Sequence, residues 1–202
     1  MEKQLNKFIS AIFHPMLFPT YYLLVVLNMR LGFLLMIPEK GKWMITGLIF
    51  ITTYLLPMLI SKIIFSSFSR FFSTNGHDKQ SLLLATAIFF YVTTYYLFTG
   101  LQISPMITIF ILGSTSLLVL TIVISAFWNI SAYMIATGAL FGAYLSMAII
   151  LKIDLLLLLI SLILLSGYVG YSRLKTSNHQ PLQVYSGFFL GTVIMYLHFL
   201  YF

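Results

Sequence analysis

The sequence predicts an all-α fold: a polytopic helical bundle embedded in a membrane, with about six to seven transmembrane helices. Three observations predict it. Of the 202 residues, 60% are hydrophobic and only 7% are charged, whereas a soluble domain is nearer half apolar with about a quarter charged. Such a chain cannot cover a water-facing surface, so its solvent is lipid. The mean hydropathy is +1.02, and the apolar residues fall into runs of the roughly 20 residues that a spanning helix needs. Aromatic residues make up 17% of the chain, which suits the belts at membrane interfaces.

The elements follow in order. "MEKQLNKFISAIFHPMLFPTYY" has the basic start of a signal peptide. No small-residue cleavage site follows and the apolar run continues, so it is read as a first anchor over 16–37. Further spans are expected at 43–65, 81–100, 104–125, 130–151, 153–171 and 182–202. The connections "PEKGK", "LQISP" and "LKID" are short enough to make successive helices antiparallel pairs. Loop 66–80, "SSFSRFFSTNGHDKQ", is the longest polar segment, and its Asn-Gly marks a turn. Nothing reads as a linker or a second domain, so residues 1–202 form a single membrane domain.

Loop 66–80, the junction near 126–132 and loop 172–181 are each separated by two spans, so all three open on one face of the membrane. That face carries Lys3, Lys7, Arg70, Lys79, Arg173 and Lys175, while the other carries Arg30, Lys40, Lys42 and Lys152. The positive-inside rule would make the first face cytoplasmic, and without Arg173 and Lys175 the bias almost vanishes. The location expected is the bacterial cytoplasmic membrane. The formal charge of +7, from 11 Lys and Arg against 4 Asp and Glu, has a plain reading as anchoring to anionic headgroups. A phosphate-bearing ligand would need the cations to cluster. Cysteine is absent, which excludes disulfides, thiolate metal sites and cysteine nucleophiles.

A cluster does occur. Residues 172–184, "SRLKTSNHQPLQV", gather Arg173, Lys175, His179 and Gln183. Ser172-Arg173, five residues, His179, three residues, then Gln183-Val184 resembles the third signature of the type 2 phosphatidic acid phosphatase superfamily. In that signature an Asp stands where this chain has Gln183. The family's second signature, Pro-Ser-Gly-His, is half kept in Ile130-Ser131-Ala132-Tyr133, with Tyr133 in the place of the histidine. The first signature, with its Lys and Arg-Pro, is missing from loop 66–80, whose cations are Arg70 and Lys79. The resemblance covers roughly residues 66–202.

The resemblance implies that His179 attacks phosphorus, that Arg173 clamps the phosphoryl oxygens, and that Ser131, Ser172 and Lys175 help bind the substrate. Phosphoryl transfer depends mostly on positioning and charge stabilisation, and a guanidinium fork can take two phosphate oxygens. Gln183, four residues after His179, would sit near the imidazole and accept its N–H without supplying a charge. Tyr133 would be a poor general acid, because a phenol has a pKa of about 10. A diphosphate, whose leaving group needs less protonation, would suffer less than a monoester. The expected substrate is a lipid phosphate or diphosphate arriving laterally from the leaflet, with no cofactor, metal or nucleic acid. The alternative is a non-catalytic relative that binds a lipid phosphate or serves as a subunit of a membrane complex. A secondary transporter lacks support, since no inverted repeat, paired carboxylates or broken mid-membrane helices are visible.

Each of these residues also has a structural reading. His179 suits an interfacial polar group and Tyr133 an aromatic belt. His14 and His198 are expected to lack chemical partners, and His77 to be solvated. Lys62, inside an apolar run, is expected to snorkel. Gly138 and Gly142, and Gly187 and Gly191, stand at four-residue spacing. They predict close packing of the helices that carry Tyr133 and His179.

Overall fold

The computed structural model describes residues 13–29, 37–67, 76–176 and 179–202, with the side chains of 76–79 and 176 outside that description. A 3-10 turn, Pro15–Leu17, leads into α1 (Phe18–Asn28). α2 (Glu39–Phe50), a π-helical turn (Ile51–Leu55) and α3 (Leu56–Ser67) form one continuous span. Then come α4 (Gly76–Gly100), α5 (Pro105–Ser125), α6 (Ala132–Leu151), α7 (Leu156–Thr176) and α8 (Pro181–Tyr201). Among the described residues there is no strand, and 6 helices are long and apolar enough to cross a membrane.

Two expectations are adjusted. The first anchor was expected over 16–37, but its described helix ends at Asn28, and residues 30–36 lie outside the described residues. The polar loop was expected to run to residue 80, but helix α4 already begins at Gly76. An N-terminal turn is the natural place for polar residues such as those of "GHDKQ", where helix N–H groups lack intrahelical partners.

The short α1 is held in the core through Tyr22. Its ring stacks on Phe110, with centroids 3.9 Å apart and planes at 5°. Its hydroxyl lies 3.2 Å from the Met106 carbonyl, and Tyr144 donates to the Tyr22 carbonyl at 3.0 Å. A membrane core gives a buried hydroxyl no water, so these partners are what make the tyrosines tolerable there. The π turn precedes Pro57, which has no N–H to give to an ordinary helical ladder.

The tightest helix pair is α6 with α8, as the glycine spacing predicts. A Cβ added at Gly138 or Gly191 would run into the backbone carbonyl oxygen of Phe188 or Ile135 respectively. Only a missing side chain allows that approach. Thr192 Oγ1 sits at the contact and lies 3.2 Å from the Gly138 carbonyl. At the top of the pair the Ser131 N–H donates to the Gln183 carbonyl at 3.4 Å. The stretches that carry Ser131 and Gln183 are thereby tied together.

Candidate functional site

Helix alternation brings the start of the 3-10 turn, the starts of α4, α6 and α8, and the end of α7 to one end of the bundle. A cavity of about 450 Å³ opens beneath that end, within the range of roughly 300–1,000 Å³ for small-molecule sites. Its polar rim carries His14, Gln80, Tyr133, Arg173 and His179. Below the rim its wall is mostly apolar, with Leu83 and Tyr91 on α4, Phe110 and Leu117 on α5, and Ala136 and Ala139 on α6, and with Ser114 on α5 as a polar side chain among them. Wall residues Phe110 and Thr121 lie eleven positions apart on α5. At 1.5 Å per residue the cavity descends about 16 Å, roughly half the hydrocarbon thickness.

His179 stands just before α8, which starts on Pro181. Its Nδ1 lies 3.0 Å from the Asn129 carbonyl and 3.4 Å from Gln183 Oε1. Gln183 Oε1 also accepts from the Gln180 N–H at 3.0 Å, which identifies it as the amide oxygen. Both neighbours of Nδ1 are therefore acceptors, and Nδ1 must carry the proton. In the neutral ring Nε2 is then the nitrogen with the lone pair. The Gln183 contact follows the four-residue spacing. The shorter bond, to the Asn129 backbone, had no sequence signal, because any residue supplies a carbonyl.

Arg173, near the end of α7, reaches across to the first turn of α6. Its guanidinium carbon lies 3.6 Å from the centroid of the Tyr133 ring. Tyr133 thus gives Arg173 an aromatic face at the cavity rim, a contact available to the planar guanidinium.

His14 corrects an expectation. It was read as lacking partners, yet it lines the cavity with Arg173 and His179. Its ring meets Tyr133 edge-on with centroids 6.2 Å apart, and Tyr54, from the π turn, at 5.7 Å. Its Nδ1 accepts from the Met16 N–H at 3.4 Å. Burial, and then the nearby Arg173 charge, push its pKa below the usual histidine value. His198, also expected to be unpartnered, has Ser116 Oγ 3.1 Å from Nε2 and the Ile194 carbonyl 2.9 Å from Nδ1.

The remaining expected residues stand apart from the cavity wall. Ser131 and Ser172 are buried, with exposures of 0% and 2%, and Gln183 lies behind His179 rather than on the wall. Lys175 is exposed, with Nζ 5.7 Å from the Tyr171 ring centroid. Lys62 is exposed on α3, within two turns of its end at Ser67, which suits snorkelling. Arg70 lies outside the described residues, as do the side chains of His77 and Lys79. Among the described residues no group of three or more His, Asp or Glu side chains gathers to hold a metal. No family model, curated protein or solved structure matches this chain, so the chemistry of the site rests on its own side chains.

Proposed function

We propose that this chain is a lipid-phosphate or lipid-diphosphate phosphohydrolase of the type 2 phosphatidic acid phosphatase kind, acting at the face of a bacterial cytoplasmic membrane. The observation that carries the reading is the hydrogen bonding of His179. With Nδ1–H held by the Asn129 carbonyl, Nε2 has a lone pair for attack on phosphorus at a rim shared with Arg173. Attack forms the Nε2–P bond and breaks the bond from phosphorus to the leaving oxygen. Water then attacks the phosphohistidine, releases inorganic phosphate and restores Nε2. Arg173 would hold the phosphoryl oxygens through both steps. The apolar shaft below the rim suits one hydrocarbon chain.

Tyr133 shapes the choice of substrate. Its ring supports Arg173, and its phenol is a weak proton donor at neutral pH. A diphosphate expels phosphate, which needs little protonation, so it suits this site better than a monoester. The same substitution supports the second reading, a lipid-phosphate binding protein without turnover.

The test is phosphate release by purified protein from a panel of long-chain monophosphates and diphosphates. The expected result is release, faster from diphosphates, that His179→Ala abolishes. Tight binding with no release from any substrate would select the binding reading. Turnover that survives His179→Ala would move the chemistry elsewhere.

A further inference from the structure

Two imidazoles, from opposite ends of the sequence, line the rim of one cavity. His14 comes from the turn before α1, and His179 from the turn before α8. Their hydrogen bonds are opposite. His179 Nδ1 faces two acceptors and must carry a proton. His14 Nδ1 faces a donor, the Met16 N–H, and must not carry one. The neutral His14 ring therefore bears its proton on Nε2, and no described residue hydrogen-bonds that nitrogen.

We propose that His14 is the second imidazole of the phosphate site, donating its Nε2–H to an oxygen of the phosphoryl group held by Arg173. This rests on the reading of the site as one for lipid phosphates and adds a binding residue to it. Burial and the Arg173 charge favour the neutral ring, which keeps the Nε2–H donor as the state present at neutral pH. A neutral imidazole beside an arginine adds a hydrogen bond without adding a second positive charge, so the empty cavity escapes like-charge repulsion. Two rings pack edge-to-face with it, those of Tyr54 and Tyr133.

The backbone role and the ligand role of His14 use different nitrogens, and substitution separates them. An asparagine amide overlaps the Nδ1 position and is a good N-cap, but it cannot reach where Nε2 stood. A glutamine amide places an N–H donor near the Nε2 position and leaves Met16 uncapped. The experiment titrates full-length protein, in micelles of a neutral detergent, with dodecyl phosphate and with dodecanol. Wild type should prefer the phosphate. His14→Asn should weaken dodecyl phosphate about tenfold or more, in line with a hydrogen bond to a charged group, and leave dodecanol unchanged. His14→Gln should keep most of the phosphate preference. Unchanged dodecanol affinity reports that each variant is folded. If Arg173→Gln removes the preference while His14→Asn keeps it, the role of His14 is overturned and the site stands. If wild type shows no preference for the phosphate, both fall together.

Discussion

The guanidinium carbon of Arg173 lies 3.6 Å from the centre of the Tyr133 ring, so Tyr133 gives the arginine an aromatic face to rest on at the cavity rim. The ring at position 133 meets the arginine with its face, and its hydroxyl also interacts with Arg173, so substitution can separate the two contributions. Cation–π contacts range from roughly 0.5 to 2 kcal/mol as they lose solvent. Tyr133→Phe should keep the preference for dodecyl phosphate over dodecanol within about threefold, whereas Tyr133→Leu should cut it roughly three- to thirtyfold. Equal losses in the two variants would show that the hydroxyl, not the ring face, matters.

The α6–α8 contact sets the geometry of the rim, and its glycines separate packing from propensity. At Gly191 a methyl group would strike the Ile135 carbonyl, while at Gly167 on α7 a Cβ meets nothing within 4 Å. Gly191→Ala should destabilise the protein by about 1–3 kcal/mol, the cost of overpacking. Gly167→Ala should be neutral or stabilising by up to about 1 kcal/mol, the helix-propensity gain. Thermal unfolding in detergent measures both, and a lower midpoint for Gly167→Ala than for Gly191→Ala would contradict the close packing.

His14 makes stability depend on pH. Burial and the Arg173 charge lower its folded pKa, while the unfolded value stays near about 6.5. The unfolded chain then binds more protons as pH falls through about 6.5, and stability is lost from there down to the lowered folded value. The groups around it are Tyr54, Tyr133 and Arg173, with His179 on the same cavity. The melting temperature of the wild type should therefore drop more between pH 7.5 and 5.5 than that of His14→Asn, which keeps the cap. Equal drops would mean that His14 is not the group responsible.

Long apolar runs and short polar joints made the bundle legible, because in lipid the spanning length is fixed by the hydrocarbon thickness. The glycine pairs were legible for a similar reason, since four-residue spacing puts them on one helix face. Arg173 and His179 could be assigned to one membrane face by counting spans. What could not be read depends on three-dimensional neighbours. The Asn129 carbonyl fixes the His179 tautomer, and a backbone carbonyl has no residue-specific signature. His14 lies 165 positions from His179 in the sequence, and only the insertion of the short α1 beside α5 and α6 brings it to the rim. The resemblance implied that Ser131 and Ser172 help bind the substrate, yet both are buried and neither lines the cavity.

The shaft beneath the rim predicts a dependence on chain length. Ala136 lies one turn below Tyr133 on the same face of α6, and both line the cavity. If a hydrocarbon chain occupies this shaft, each methylene that enters it contributes about 0.8 kcal/mol, close to fourfold in affinity. Alkyl phosphates of increasing length should therefore bind the wild type progressively tighter until the roughly 16 Å of depth is filled. Ala136→Leu adds three carbons just below the rim. It should flatten that series, weakening the long chains by tenfold or more while changing the shortest member little, because the phosphate contacts at Arg173 remain. The measurement is affinity across the series for both proteins in one neutral detergent. A series that stays equally steep in Ala136→Leu would show that the chain lies outside the bundle, against the surrounding lipid.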